Sequence, residues 1–297
     1  MKKGWYGIRN VTTVGERKPP PTFAKAVPDG YPEGFQDLTV LDSWTVANNS
    51  KIVRVELPEG LSDLVALGVP SGVKIRQTID GTVLDKSYSP ISDPSARGCM
   101  DLLAKRYPPS AGGGLGAFIC DANVGDRLEV RLKPQKLFRG KPYSRNVWEQ
   151  LALIGCGTGI APLYQMAASI MNDEKERTSV WFVSCHRSEG DRLMHDELEA
   201  LQVEFPSRFF YSSVLSDPRE GEGSRITQKH CLPPYLFEVG GGSVHAVVCG
   251  TDGFLETVSG GKIRMKVDGQ AKLKKLQGDV GGLLKTAGFA NDEVTKL

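Results

Sequence analysis

The first half of the chain alternates apolar and polar residues with a period of two. The alternation is strongest over residues 50–57, 73–79 and 127–132, and it is typical of strands that bury one face. Asp80 and Gly81 directly follow the second of these segments, and this pair favours a tight hairpin turn. Roughly six strands at this spacing between residues 35 and 140 predict a small antiparallel barrel.

The second half of the chain has a different pattern. Short, continuously apolar segments predict buried strands at residues 151–154, 180–184, 208–214 and 245–249. Helical patterns lie between these strands, at residues 162–171 and 191–203. Strands that alternate with helices predict a parallel sheet covered on both faces.

These two patterns predict an α+β protein of two domains. The first is a six-stranded antiparallel β-barrel at residues 35–140, and the second is an α/β domain with a parallel sheet at residues 150–297. Residues 1–34 are rich in proline and glycine and are predicted to form a flexible arm. Residues 141–149 are predicted to form the linker between the domains.

The composition narrows the classes of function. Of 297 residues, 40% are hydrophobic and 24% are charged, and a net charge of +2 does not favour nucleic-acid binding. The cysteines form no Cys-x-x-Cys pair, so we expect no metal site, no disulfide framework and a reducing compartment. No apolar run approaches the ~18 residues of a membrane span, and the first residues lack a signal-peptide core.

A glycine-rich loop follows the strand at residues 151–154. It contains Gly155, Gly157 and Gly159, and a helix is predicted directly after it. Free main-chain N–H groups at the start of a helix can hold a phosphate, and Thr158 adds a hydroxyl donor. The spacing is neither the dinucleotide fingerprint nor the P-loop, and taken alone it is a weak signal, since many such turns bind nothing.

A second glycine-bearing loop starts at Cys249 and Gly250, where the strand at residues 245–249 ends. Ligands of open parallel sheets bind beyond the carboxyl ends of the strands, so both loops can line one crevice. An isolated cysteine at a strand end is more often a small buried apolar residue, and this alternative stays open for Cys249.

Five motifs stand in a recognisable order and spacing. They are Leu-Asp-Lys-Ser-Tyr-Ser-Pro at residues 84–90, Leu-Leu-Ala-Lys-Arg-Tyr at 102–107, the glycine run at 112–116, the loop at 155–162, and Cys-Gly-Thr-Asp-Gly-Phe at 249–254. Together they resemble the ferredoxin-reductase superfamily, and within it the NADH–cytochrome b5 reductase branch. The resemblance implies that the barrel binds FAD and that the α/β domain binds NAD(P)H.

The resemblance also implies which residues hold the flavin. Tyr88 would lie along the flavin ring, and Ser89 would place its hydroxyl near the flavin N5. The other implied FAD contacts are Lys86, Ser87, Leu103, Gly114, Leu115 and Gly116. Lys105 would serve a ribose, a pyrophosphate or the incoming nicotinamide nucleotide, and Tyr107 is also an implied cofactor-binding residue. From the residues alone, Tyr88 can equally be a packing tyrosine between strands, and Lys105 can be a solvated charge.

On the nucleotide side, the loop with Gly155, Gly157 and Gly159 would approach the NAD(P)H pyrophosphate. Thr158 would lie near both cofactors, and Cys249 with Gly250 would lie at the nicotinamide C4. The chemistry would belong to the cofactors, which the protein aligns for hydride transfer. The catalytic residues that the resemblance implies are Ser89, Thr158 and Cys249.

The segment at residues 184–191 bears on the choice between NADH and NADPH. Arg187 and Ser188 suit a 2′-phosphate, whereas Glu189 and Asp191 would repel it, and an acidic residue suits a free ribose 2′-OH. The branch that the chain resembles carries an aspartate at the place of Asp191. We therefore expect NADH, with Asp191 among the cofactor-binding residues.

The chain departs from the family pattern at three places. Lys86 stands where the family has arginine, which removes a bidentate donor. Thr251, Asp252 and Gly253 replace the usual prolines. Residues 259–282 form a lysine-rich insertion, which we expect to be a solvated loop and helix, with a basic docking face for an acidic partner as the alternative.

The resemblance thus implies a flavin oxidoreductase that takes hydride from NADH onto FAD. It would pass single electrons to a haem protein such as cytochrome b5. The alternatives are a nucleotide-binding module of the same fold that has lost turnover, and a structural protein without flavin. We expect a monomer in the cytoplasm or mitochondrion, with peripheral membrane association left open.

Overall fold

The structure is a computed structural model that describes residues 30–107, 114–138, 141–217, 226–227, 230, 244–265 and 274–297. Residues 1–29 of the predicted arm lie outside the described residues. So do Gly112, Gly113 and residues 266–273 of the insertion. Within the described ranges, no helix is long and apolar enough to cross a membrane.

The first domain is the predicted six-stranded antiparallel sheet, with strand order β4-β3-β6-β1-β2-β5. A bridge between Pro90, just after β4, and Leu102 of β5 joins the two edge strands and closes the sheet into a barrel. Its elements are β1 Gln36–Ala47, β2 Ser50–Glu56, β3 Gly72–Ile79, β4 Thr82–Tyr88, β5 Cys99–Lys105, α1 Gly114–Asp121 and β6 Arg127–Lys133.

The barrel core follows from the period-two pattern. In β6, Leu128, Val130 and Leu132 are buried, whereas the residues between them face outward. The helix α1 covers one end of the barrel and inserts Leu115 and Ile119 into the same core. The alternation read from the sequence therefore identifies the buried face correctly.

The second domain is the predicted parallel sheet, with strand order β13-β10-β7-β8-β9. Its strands are β7 Gln150–Cys156, β8 Ser179–His186, β9 Phe209–Leu215, β10 Val244–Cys249 and β13 Val294–Lys296. Its helices are α2 Ile160–Asn172, α3 His195–Glu204, α4 Asp252–Ser259 and α5 Gly282–Thr286.

The helix predicted at residues 191–203 starts later than expected. Glu189–Asp191 form a short 3-10 turn, and Met194 has a φ of 55°, so α3 begins only at His195. The main-chain N–H of Asn48, in the barrel, donates a hydrogen bond of 2.6 Å to the carbonyl of Gly190. This contact holds the turn in a conformation that a regular helix would not have.

The described part of the insertion at residues 259–282 differs from the loop and helix that the sequence suggested. Ile263–Met265 (β11) and Lys274–Leu276 (β12) form a two-stranded antiparallel ribbon, and α5 begins only at Gly282. Arg264 and Lys275 lie directly opposite each other in this ribbon. Both pair with Asp252, at 2.7 and 3.0 Å, so the carboxylate relieves the repulsion between two like charges.

The two domains share one apolar core. Ile52, Val69, Ile91 and Leu103 of the barrel belong to the same buried cluster as the apolar residues of α2. The predicted linker packs onto the second domain as well. The Tyr143 hydroxyl donates to the Glu176 carboxylate at 2.7 Å. The cleft between the domains is therefore framed by packed elements on both sides.

We predict that an ion pair with a buried carboxylate stabilises the barrel. Asp101 is 1% exposed and forms two hydrogen bonds with Arg54, of 2.7 and 2.9 Å. Asp101→Asn should lower the free energy of unfolding by about 2 kcal/mol, because the partly buried guanidinium of Arg54 loses its charged partner. Urea unfolding followed by circular dichroism measures this.

The matched control is Glu129→Gln, since Glu129 pairs with Arg76 in the same two-bond geometry but at the surface. Water competes for that pair, so the loss there should be far smaller. Equal losses in the two variants would contradict the prediction.

Candidate active-site cleft

A cleft of about 400 Å³ opens between the two domains. Strand ends and loops of the barrel form one wall, and the carboxyl ends of β7 and β10 form the other. Of the residues predicted for the site, those that line the cleft are Lys86, Ser87, Tyr88, Ser89, Leu103, Lys105, Tyr107, Gly116, Thr158, Gly159, Cys249 and Gly250.

Tyr88 gives the barrel wall its flat apolar surface. It ends β4, pairs with Val73 of β3 and packs against the barrel core. Burial raises the pKa of its phenol above the ordinary range, so the hydroxyl stays protonated. A neutral aromatic ring at a cleft wall can stack on a planar heterocycle.

The barrel wall is also cationic. Lys133 donates a hydrogen bond of 2.8 Å to the hydroxyl of Ser87, and Lys136 lines the cleft. Burial, and then the positive charges of Lys136 and Lys74, lower the pKa of Lys133. Closely spaced cations lower each other's pKa in this way, and an anion in the cleft would relieve them.

The start of α1 lies against the end of β5. A Cβ atom on Gly116 would lie 2.5 Å from the carbonyl oxygen of Lys105, so the absence of a side chain permits this approach. The first main-chain N–H groups of a helix have no acceptor within the helix, and Gly116 of this first turn lines the cleft. The Leu115 side chain is fully buried in the barrel, so only its main chain can reach a ligand.

The predicted phosphate loop packs tightly on β10. A Cβ atom on Gly159 would lie 2.6 Å from the carbonyl oxygen of Cys249, and one on Gly155 would lie 2.8 Å from Leu163. Gly157 has a φ of 52°, in the left-handed region that glycine favours. The glycines thus bring the loop against Cys249 and leave Thr158 at the cleft surface.

Cys249 faces the cleft as a neutral thiol. It belongs to the edge of the core that the domains share, and burial raises its pKa to about 11. Burial also raises the pKa of Cys156, which lines the cleft nearby. Neither sulfur is a thiolate at neutral pH, so the cleft is not built for cysteine nucleophilic catalysis.

Known proteins match both halves of this arrangement. A family model for an oxidoreductase FAD-binding domain matches residues 37–135, and one for an oxidoreductase NAD-binding domain matches residues 153–260. An NADH-cytochrome b5 reductase 2 of Neurospora crassa is 32% identical over 301 residues, covering 100% of this chain and 81% of the relative. An NADH-cytochrome b5 reductase 2 of Botryotinia fuckeliana is also 32% identical, and the match covers 92% of this chain and 75% of the relative.

The chain belongs to the NADH–cytochrome b5 reductase family. Its barrel and its α/β domain are the FAD-binding and NAD-binding domains that the sequence led us to expect. The protein is therefore an NADH-dependent reductase with FAD as its cofactor.

Solved structures support the same fold. The cytochrome b5 reductase domain of Ulva prolifera nitrate reductase has a TM-score of 0.63 at 21% identity, over 75% of this chain and 89% of that chain. The CS-b5R domains of human Ncb5or have a TM-score of 0.64 at 18% identity, over 88% of this chain and 69% of that chain.

The cleft fits the cofactors of this family. The Tyr88 ring offers a stacking face for a flavin, and the start of α1, where Gly116 lines the cleft, would present main-chain N–H groups to a pyrophosphate. The glycine loop before α2 offers a second anion cradle across the cleft. The donor set on both walls therefore suits two nucleotides that meet end to end.

Five predicted site residues do not line the cleft. At the start of α1, Gly114 packs against Leu84 and the side chain of Leu115 is buried in the barrel. In the loop, Gly155 packs against Leu163 and Gly157 supplies the positive φ. Asp191 lies apart and is considered next. The sequence analysis did not predict eight further lining residues. Cys156, Ala161, Pro162 and Thr251 belong to motifs that it had identified, whereas the other four have no such signal: Pro70, Ser71, Lys136 and Leu297.

Asp191 and Lys105 pair with each other across the domain boundary. The Lys105 Nζ lies 2.8 Å from the carboxylate of Asp191, which also accepts a bond of 2.9 Å from the Ser188 hydroxyl. Burial opposes ionisation of Asp191, but these hydrogen bonds outweigh it and lower its pKa. Both residues were predicted to contact nucleotides, and here they form a bridge between the domains.

Thr251 accounts for one departure from the family pattern. Its hydroxyl accepts a hydrogen bond of 3.3 Å from the N–H of Phe254 and so caps α4. Asp252 then stands in the first turn of this helix, where it holds the ribbon. The replacement of the usual prolines thus builds a capped helix beneath the cleft.

His186 is a buried residue that the sequence did not single out. It ends β8, is 5% exposed, and neither ring nitrogen has a hydrogen-bond partner among the residues that the structure describes. Burial, and then the charges of Lys105 and Arg192, lower its pKa to about 4 from the ordinary 6.5. The imidazole is therefore neutral in the folded protein at physiological pH.

We predict that this histidine makes the fold acid-sensitive. The unfolded chain binds a proton at His186 near pH 6.5 and the folded chain only near pH 4, so stability falls as the pH drops through this window. Relative to His186→Asn, the wild type should lose about 2 kcal/mol of unfolding free energy between about pH 7 and about pH 5.

Urea titrations across this pH range measure how the unfolding free energy of the wild type and of His186→Asn depends on pH. Other titrating groups, including Glu197 with its raised pKa, are present in both proteins and cancel in the comparison. Parallel stability curves for the two proteins would contradict the prediction.

We also predict that Gly159 is required for packing of the loop. In Gly159→Ala the new methyl group would meet Cys249 and Gly250, so the loop and β10 must separate. The variant should lose roughly 1–3 kcal/mol of stability and bind NAD+ more weakly. Gly253→Ala is the control, since nothing lies within 4 Å of its Cβ position and alanine favours the helix. If both variants kept wild-type stability and NAD+ affinity, the close packing would be refuted.

Proposed function

We propose that this protein carries electrons from NADH through FAD to a one-electron acceptor of the haem-protein class, such as cytochrome b5. One NADH and two oxidised acceptors would give NAD+, a proton and two reduced acceptors. The observation that carries the proposal is that one cleft is lined by Tyr88 and Ser89 of the FAD domain and by Thr158 and Cys249 of the NAD domain. FAD, when bound, can accept a hydride and release its electrons singly.

In this proposal the protein orients the two cofactors and shields them. Tyr88 supports the flavin ring by stacking, and the Ser89 hydroxyl donates a hydrogen bond at the ring edge. Thr158 positions the nicotinamide from the opposite wall, and the neutral Cys249 thiol packs against it. Bringing donor and acceptor atoms together in one cleft supplies most of the rate enhancement.

The choice of NADH follows from charge. The pKa of Asp191 is lowered, so it is an anion at neutral pH, and Glu189 adds a second carboxylate two residues away. A 2′-phosphate beside Asp191 would be repelled, whereas a free 2′-hydroxyl can donate to it. We therefore propose a marked preference for NADH over NADPH.

The acceptor would meet the basic rim of the cleft. Lys133 and Lys136 stand on the barrel side, with Lys74 and Arg131 close enough to lower the pKa of Lys133. Such a rim suits an acidic haem protein, which it would attract and orient. The proposal includes a monomeric enzyme, whose rim stays accessible to its partner.

Spectroscopy on the purified protein tests the proposal. We expect a yellow protein with flavin absorbance, or one that takes up added FAD, and NADH should bleach it within a single turnover. Ferricyanide and ferric cytochrome b5 should each be reduced at the expense of NADH, and NADPH should act at least about tenfold more slowly. NADPH serves as the matched donor control.

Two outcomes would contradict the proposal. A protein that does not take up FAD would exclude the flavin reductase. Bound FAD that NADH never reduces would favour the alternative that Lys86 and Thr251 suggest, a nucleotide-binding module without turnover.

A further inference from the structure

The side chain of Gln165 crosses the boundary between the domains. It projects from the middle of α2 and is 1% exposed. Its Oε1 accepts a hydrogen bond of 2.8 Å from the main-chain N–H of Ser71, and its Nε2 donates one of 3.2 Å to the Ser71 hydroxyl. One amide thus meets two groups of one residue in the other domain, which fixes orientation as well as distance.

On the barrel side, this contact reaches the predicted flavin wall. Ser71 is 4% exposed and lines the cleft. The next residue, Gly72, begins β3, and its Cβ position lies 2.9 Å from the carbonyl oxygen of Tyr88. The close packing leaves no slack, so a displacement of Ser71 would also displace Tyr88 and Ser89.

On the other side, the same contact reaches the phosphate loop. The loop ends at Gly159, and α2 continues from Ile160 as a helix of 13 residues. The apolar residues of α2 around Gln165 are buried in the shared core. Gln165 is therefore linked rigidly to Thr158 by helix geometry, without a flexible segment between them.

We propose that Gln165 is a positioning residue that sets the distance between the flavin and the nicotinamide. The inference rests on the proposed function, since it concerns the same hydride transfer. Hydride transfer needs reacting atoms about 3–3.5 Å apart, and a shift of about 1 Å can cost on the order of 10²-fold in rate. Gln165 does not line the cleft, so it acts on the alignment of the cofactors rather than on their affinity.

The decisive variant is Gln165→Met, which keeps the length of the side chain and removes both hydrogen bonds. Flavin reduction by NADH in a stopped-flow single turnover should slow by roughly 10- to 100-fold. The dissociation constants of FAD and of NAD+ should stay within about threefold of the wild type, so that kcat falls while KM holds.

The matched control is Gln202→Met. Gln202 also accepts a hydrogen bond from a main-chain N–H, that of Tyr211 at 2.6 Å, but both residues lie within the NAD domain. Flavin reduction in this variant should stay within about twofold of the wild type.

A second variant removes only part of the contact. Ser71→Ala loses the bond from Nε2 and keeps the bond to Oε1, so flavin reduction should slow by less than in Gln165→Met. The double variant should be no slower than Gln165→Met alone, because the two residues act through one contact. If Gln165→Met does not fold, Ser71→Ala decides: slower reduction at unchanged affinities supports the inference, and an unchanged rate overturns it.

Other results would also overturn the inference. They are a wild-type rate in folded Gln165→Met, a loss of cofactor affinity as large as the loss of rate, or an equal slowing in Gln202→Met. The proposed function fails separately, if the wild-type protein does not bind FAD or NADH does not reduce it.

Discussion

The structure depends on an apolar core that both domains build together. Ile52, Val69, Ile91 and Leu103 come from the barrel and pack into the cluster that surrounds α2. A buried aliphatic side chain contributes about 2 kcal/mol, and a whole domain is stable by only about 5–15 kcal/mol. Parting the domains would therefore cost a large share of the total stability, unlike the more polar and mobile interfaces that separate many domains.

Polar contacts across the boundary fix the relative orientation of the two domains around this core. The Lys105–Asp191 pair and the Gln165–Ser71 contact each join one barrel residue to one residue of the NAD domain. Apolar packing tolerates small slips, whereas hydrogen bonds hold only at particular distances and angles. The core thus keeps the domains together, and the polar pairs select one relative placement. The shape of the cleft at the boundary depends on both the apolar core and the polar pairs.

Sequence reasoning was most successful where local pattern and burial coincide. The alternation at residues 127–132 and the apolar segment at 151–154 led to β6 and β7, and the glycine loop after β7 lies at the cleft as expected. These features depend on neighbours in sequence. Each of them can be predicted correctly from the local sequence, without knowledge of the rest of the chain.

The errors and omissions depend on distant partners. The ribbon of β11 and β12 places Arg264 opposite Lys275, and the contact of Asp252 of α4 with both offsets their repulsion. The turn before the late start of α3 accepts a hydrogen bond from Asn48 in the other domain. No local signal marks His186 as buried, since a polar residue at a strand end is ordinarily exposed.

The Lys105–Asp191 bridge has a consequence for turnover. Its two halves lie where a nucleotide is expected, so a ligand that draws either group toward itself must displace the other. When the ligand departs, the two charges rejoin at once. The empty cleft therefore keeps these two charges paired, and release of the spent nucleotide would regain part of the free energy given up on entry.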